Sequence, residues 1–162
     1  MFVSELVQLL LQSLECFYRN DSLLAERGGM EQSCVFQIGF YFQSLIDKNP
    51  KFSKLTVDCE YNKNIEKTKI NPATGKRVRP DLIVHTRDSS NNILVVEFKT
   101  KNNVKNCQND FNKLKMFTKQ GPGEFGYKLG VFLCLHDTFE MTLNEMMFFK
   151  DGAIISNDEL KD

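Results

Sequence analysis

The stretch PDLIVHTRDSSNNILVVEFKT, residues 80–100, decides the fold of this chain. It holds two runs rich in β-forming residues, 81–86 and 93–100, on either side of the polar segment 87–92. This pattern predicts two strands joined as an antiparallel hairpin. A turn centred near Ser89 would place Asp81 opposite Glu97, because residues equally distant from a turn pair across an antiparallel ladder.

The pairing of Asp81 with Glu97 has a chemical consequence. Side chains that face each other across a ladder have Cβ atoms roughly 5 Å apart, and two carboxylates at that distance repel each other. A cation between them would relieve the repulsion. Because Mg²⁺ prefers carboxylate oxygens and water as ligands, the hairpin predicts a magnesium site with Asp81 and Glu97 as ligands, at which Mn²⁺ would substitute.

Strand alternation brings Lys99 to the same site. Glu97 and Lys99 are two residues apart and share one face of the strand, while Val96 and Phe98 point to the other face. An ammonium beside a metal-bound carboxylate could orient an attacking water or stabilise a pentacoordinate phosphate. The alternative is that these charges form surface ion pairs on an edge strand, although their apolar neighbours are typical of interior strands.

Two amphipathic helices precede the strands, over residues 4–18 and about 30–46. In the second helix, Glu31 shares a face with apolar side chains, so its carboxylate needs a partner. Metal coordination would supply one. The alternative, which stays open, is that Glu31 stabilises the start of the helix, where acidic residues are favoured.

The remaining elements complete a mixed sheet. Residues 55–61 predict a strand before the hairpin, 110–118 a helix after it, and 127–135 and 145–150 two further strands. The strand-helix-strand unit from 93 to 135 should be a right-handed parallel crossover. We therefore expect class α/β (α+β): a central mixed β-sheet flanked by helices, in one domain over residues 1–162, with helix 4–18 packed on a core at 30–150.

These residues resemble the PD-(D/E)XK superfamily of restriction-endonuclease-like nucleases. Pro80-Asp81, followed after the hairpin by Glu97-Phe98-Lys99, is similar to its signature, and the order α-β-β-β-α-β from Glu31 onward is similar to its common core. The resemblance implies Mg²⁺-dependent phosphodiester hydrolysis with Asp81, Glu97 and Lys99 as catalytic residues and Glu31 as an additional metal ligand. Because this superfamily serves many roles, the resemblance does not imply a particular target.

The distribution of charge fits a polyanionic partner. The chain has no net charge, but residues 61–119 contain 13 Lys and Arg against 5 Asp and Glu. Basic side chains on that segment would contact phosphates without reading bases. The candidates for nucleic-acid binding, with DNA favoured over RNA, are Lys101, Lys105, Lys113, Lys115 and Arg79. Of these, Lys113 and Lys115 are expected on a helix beyond the motif, distal to the catalytic residues. The alternative is a solvated, lysine-rich surface.

The composition also bears on the state of the cysteines, on zinc binding and on membrane insertion. The five cysteines are scattered without a Cys-x-x-Cys pair, which is typical of reduced thiols in a cytoplasmic protein. Neither histidine lies in a ligand-spaced cluster, so the sequence gives little support for zinc. No apolar run is long enough to cross a membrane. A homodimer would let one site per chain cut two strands, and the alternative function is a non-catalytic module that binds nucleic acid or protein.

Overall fold

The computed structural model describes residues 2–28, 30–64 and 67–160, without the side chains of residues 64 and 104–106. Its helices are α1 (Phe2–Glu26), α2 (Glu31–Asp47), α3 (Cys107–Thr118) and α4 (Phe139–Asn144), with short 3₁₀ turns at Pro50–Phe52, Lys101–Asn106 and Asp158–Leu160. Its strands are β1 (Thr56–Cys59), β2 (Lys63–Asn64), β3 (Lys67–Thr68), β4 (Leu82–His85), β5 (Asn92–Thr100), β6 (Leu129–Leu135), β7 (Met147–Lys150) and β8 (Ala153–Ile155). None of these helices combines the length and hydropathy needed to cross a bilayer.

Six strands form one mixed sheet in the order β1-β4-β5-β6-β7-β8. Neighbouring strands pair antiparallel except β5 and β6, which are parallel. In the sequence, α3 connects these two strands. The strands β2 and β3 form a separate two-stranded sheet. The α+β class is therefore confirmed, as is the core order α-β-β-β-α-β, here α2-β1-β4-β5-α3-β6.

Alternation along the hairpin divides the core between the two faces of the sheet. Leu82, Val96 and Phe98 pack with the buried sides of α1 and α2. Ile83 and Val95 pack with Leu114, Phe117 and the other apolar residues that cover the α3 side. Because side chains of one strand alternate between faces, Glu97 is expected to point to the α3 side of the sheet, as Val95 does.

The hairpin register agrees with the sequence prediction. Leu82 pairs with Val96 and Ile83 with Val95, with an irregularity between Val84 and His85. Continued by one step beyond Leu82 and Val96, this register would put Asp81 opposite Glu97. The backbone N–H of Phe98 donates to Asp81 Oδ2 at 2.8 Å, which fixes this carboxylate at the end of the pairing.

Several elements differ from the sequence prediction. The first helix runs Phe2–Glu26 rather than 4–18, with non-helical backbone at Asp21. The elements α4, β2, β3 and β8 were not predicted. Each of these has six residues or fewer, so tertiary contacts rather than a long periodic pattern stabilise it. In α4, for example, the Thr138 side chain accepts a hydrogen bond from the Met141 N–H and caps the helix.

Candidate active site

Asp81 and Glu97 lie at the end of the β4–β5 hairpin that faces the start of α3. Burial raises the pKa of Asp81, although the hydrogen bond from the Phe98 N–H opposes this shift. The two acids are close enough for the charge of Asp81 to raise the pKa of Glu97. The hairpin therefore concentrates negative charge at one buried point.

Four acidic residues, Glu31, Asp81, Glu97 and Asp110, form what we call the acidic cluster. Glu97 is its most enclosed member, with 0% of its surface exposed. Its Oε2 accepts a hydrogen bond from Lys113 Nζ at 2.6 Å, while its Oε1 is buried without a hydrogen-bond partner in the described residues. Burial, and then the charge of Asp81, raise the pKa of Glu97 well above its usual range, although Lys113 lowers it. The site thus holds a carboxylate oxygen that an additional donor or cation could stabilise.

Lys99 joins the hairpin to two helices. Its Nζ lies 3.1 Å from Asp110 Oδ2 on α3 and 3.7 Å from Glu31 Oε1 on α2, and it donates to the Phe98 carbonyl at 3.3 Å. Burial alone would lower the pKa of Lys99, but the hydrogen bond and charge of Asp110 raise it. Lys99 is therefore a charged group held in place by two acids.

Glu31 is the first residue of α2, and it reaches Lys99 from the helix that packs on the opposite face of the sheet. Burial raises the pKa of Glu31, and the ammonium of Lys99 opposes that shift. Its Oε2 is buried without a hydrogen-bond partner among the described residues. Both interpretations of Glu31, as a metal ligand and as a charge at a helix start, fit this position.

Asp110 is a member of the cluster that the sequence analysis missed. It is 4% exposed, and its Oδ1 also lies 3.5 Å from Lys113 Nζ. A signal was present in the helical spacing, because Asp110, Lys113, Leu114 and Phe117 share one face of α3. A charged pair on the same face as two buried apolar residues indicates a polar site facing the sheet.

The donor set of the cluster fits a hard divalent cation. Glu31 Oε2 and Glu97 Oε1 are buried without hydrogen-bond partners in the described residues, and Asp110 Oδ2 is buried in its ion pair with Lys99. Carboxylate oxygens of this kind suit Mg²⁺. Among those residues, no three carboxylates of the cluster bring ligand oxygens within 4.8 Å of one another. Shared coordination by three of them would therefore require their side chains to move closer together.

The basic residues expected to bind nucleic acid have different surroundings. Lys113 lies inside the cluster against Glu97, which corrects the expectation that it sits apart from the signature residues. Lys101 pairs with Asp137, and Arg79 pairs with Glu60 at 2.8 Å. Lys115 is partly exposed on α3, and the side chain of Lys105 lies outside the described residues. Nucleic-acid contact by any of these five side chains stays a prediction.

A comparison with solved structures finds a similarity at low sequence identity. The chain matches a structure described as a cryoEM structure of the DrdV–DNA complex, with 18% sequence identity and a TM-score of 0.45, over 94% of this chain and 83% of that chain. No family model matches the sequence, and no curated protein matches it. At this level of similarity the match leaves the function of the chain open.

The raised pKa of Glu97 predicts how stability depends on pH. A carboxyl group with a higher pKa in the folded state binds more protons there, so its stabilising effect is present below its unfolded pKa and is lost as pH rises through the folded pKa. In chelator-treated protein, Glu97→Gln should therefore gain stability relative to wild type as pH rises from about 4.3, the ordinary Glu value. Urea unfolding of both proteins from pH 4.5 to 8 measures this difference. A difference that stays constant across that range would contradict the assignment.

Proposed function

We propose that the chain is a metal-dependent nuclease of the PD-(D/E)XK, restriction-endonuclease-like type, which hydrolyses phosphodiester bonds of nucleic acid and favours DNA. One observation carries the proposal. The hydrogen bond from the Phe98 N–H to Asp81 and the effect of the Asp81 charge on Glu97 put both acids at the end of a buried hairpin, and the ammonium of Lys99 lies within the same acidic cluster. Opposed buried carboxylates are costly for a fold and useful for binding a cation.

The proposed metal ligands are Asp81, Glu97 and Glu31. Their oxygens would hold Mg²⁺, or Mn²⁺ in its place. When bound, the ion would supply Lewis acidity at the scissile phosphate and a water of lowered pKa. Glu97 Oε1 and Glu31 Oε2, which lack hydrogen-bond partners in the described residues, support this assignment.

Lys99 is the proposed catalytic cation. From its place beside Asp110, its ammonium would stabilise the negative charge that develops on the phosphate during attack. Asp110 is then a positioning residue, since it holds Lys99 rather than contacting the reacting atoms. Lys113 supplies a second positive charge within the same cluster, against Glu97.

The proposed nucleic-acid contacts lie around this cluster. Lys101 follows the active-site strand, Lys115 lies on α3, and Arg79 precedes Asp81 by two residues. Together with Lys105, they would neutralise phosphates and give salt-dependent binding. Pairing of two chains as a homodimer would place two catalytic centres on one duplex. We propose the cytoplasm as the compartment, because scattered cysteines without a disulfide pattern are typical of reduced thiols.

One observation favours the second candidate, a non-catalytic module that binds nucleic acid or protein. Lys113 contacts Glu97 at 2.6 Å and Lys99 contacts Asp110 at 3.1 Å. These ion pairs neutralise part of the acidic charge without a metal. A module that had lost catalysis could keep the cluster as a structural salt-bridge network.

Linkage between metal binding and folding gives a prediction for this site. A cation that binds only the folded protein raises its melting temperature by mass action, so millimolar Mg²⁺ or Mn²⁺ should raise the Tm by about 3 °C or more. Glu97→Ala should lose most of that increase, whereas Glu124→Ala, an acidic change outside the cluster, should keep it. Thermal unfolding with and without the metals provides the measurement. Equal increases in wild type and Glu97→Ala would place the bound ion elsewhere.

A substrate panel tests the activity itself. Single- and double-stranded DNA and RNA are each incubated with the protein in Mg²⁺, in Mn²⁺ and in chelator. The proposal expects metal-dependent cleavage of at least one substrate, with DNA cleaved fastest. Binding without cleavage under every condition would reject the enzyme and support the binding module.

A further inference from the structure

A second group of potential metal ligands lies at the end of β6, outside the acidic cluster. Cys134 Sγ, a ring nitrogen of His136 and a carboxylate oxygen of Glu145 all lie within 4.8 Å of one another. Cys134 and His136 are two residues apart, so strand alternation turns them to the same side. Glu145 reaches them because α4 folds back and ends at this residue.

The backbone around His136 is fixed independently of its ring. Its N–H donates to Thr142 Oγ1 at 3.0 Å, and Tyr18 Oη donates to its carbonyl oxygen at 2.8 Å. These contacts come from α4 and α1. Replacing the imidazole would therefore leave both hydrogen bonds in place.

The imidazole and the carboxylate are close without being well bonded. His136 Nε2 lies 2.9 Å from Glu145 Oε2, yet Nε2 is buried and has no hydrogen bond of acceptable geometry in the described residues. A tetrahedral zinc, with ligand distances of about 2.0–2.3 Å, separates its ligand atoms by roughly 3.5 Å, which this site could reach by small side-chain rotations.

We propose that Cys134, His136 and Glu145 form a binding site for a borderline-soft divalent cation such as Zn²⁺, with a fourth position left for water. A sulfur, an imidazole nitrogen and a carboxylate oxygen are all ligands of zinc, and the sulfur disfavours Mg²⁺. The bound ion would tie the end of β6 to the end of α4. The site shares no residue with the acidic cluster, although Cys134 pairs in register with Lys99 on the neighbouring strand.

Formation of the site releases one proton. A metal binds the thiolate form of cysteine, so the Cys134 thiol gives up its proton when the ion binds. Binding forms a sulfur–metal bond and passes the thiol proton to solvent, with no change of oxidation state. No co-reactant is needed for this step.

Titration with Co²⁺ tests the proposal, because a cobalt–thiolate bond produces charge-transfer absorption in the near ultraviolet. Chelator-treated wild type should show this absorption and saturate at one equivalent, and Zn²⁺ should abolish it by displacement. Cys134→Ser should lose it. Cys34→Ser is the matched control, since Cys34 and Cys134 are both 0% exposed but Cys34 lies on α2 and should keep the wild-type signal.

Two more variants keep the test informative if Cys134→Ser folds poorly. His136→Ala retains its backbone hydrogen bonds, and Glu145→Gln changes a side chain that is 55% exposed. Each should weaken Co²⁺ binding at Cys134, measured by the thiolate absorption, at least tenfold, while Glu124→Gln should leave this absorption unchanged. No thiolate absorption in wild type, or equal absorption in Cys134→Ser and wild type, would overturn the proposal.

Discussion

Replacing Lys99 with alanine should slow cleavage about a hundredfold while leaving nucleic-acid binding within a few-fold of wild type. One electrostatic contact to the transition state contributes about 3 kcal/mol to lowering a barrier, which corresponds to this change in rate. Lys99 is held beside Asp110 and Glu31, so the charge is in place before substrate binds. Single-turnover cleavage at saturating protein, together with binding in chelator, separates the two effects.

Lys101→Ala is the matched control for Lys99→Ala. Lys101 is two residues further along the chain, and its ammonium pairs with Asp137 rather than with the acidic cluster. Its loss should weaken binding in low salt and leave the saturated cleavage rate near that of wild type. If Lys99→Ala cleaves as fast as Lys101→Ala at saturation, Lys99 has no catalytic role.

Lys113→Met should lower the free energy of unfolding by about 2 kcal/mol in chelator, because Glu97 loses its ion-pair partner while remaining buried. The loss is smaller than for a fully buried pair, since Lys113 is partly exposed and Glu97 can take up a proton. Added Mg²⁺ should recover part of the loss by replacing the missing positive charge. Urea unfolding at pH 7, with and without Mg²⁺, measures both effects.

Lys115→Met is the control for position on the same helix. Lys115 is partly exposed and should change stability by less than about 0.5 kcal/mol, as surface substitutions usually do. Adding Glu97→Gln to Lys113→Met should restore stability, because the uncompensated charge is removed. Equal losses in Lys113→Met and Lys115→Met would contradict a stabilising role for the Lys113–Glu97 pair.

The hairpin and its register were predictable from sequence because they follow from local rules. The run lengths, the polar turn and strand alternation place Asp81 opposite Glu97, and the structure has the corresponding pairing of Leu82 with Val96. The parallel β5–β6 pair was predictable for a similar reason, because a strand-helix-strand unit of this length favours a parallel crossover.

The surroundings of the site were harder to predict because they depend on where long side chains end. Lys113 was expected to lie apart from the motif, but α3 docks with this residue over Glu97. Asp110 lies beside Lys99 only because α3 packs against the sheet. Glu145 lies beside Cys134 and His136 only because α4 folds back on the end of β6. Residue spacing within a single element cannot give these distances.

The most direct test of whether the acidic cluster is a catalytic centre compares cleavage by wild type and by Glu97→Gln. Both proteins are assayed in the same buffer, on the substrate that wild type cleaves fastest. Glu97→Gln should be as stable as wild type or more so at neutral pH, since burial raises the pKa of Glu97, and unfolding would then not explain a lost activity. We expect wild type to cleave in Mg²⁺ or Mn²⁺, chelator to stop it, and Glu97→Gln to lose at least a hundredfold in rate. Cleavage by Glu97→Gln at the wild-type rate would contradict the assignment of the centre to this hairpin.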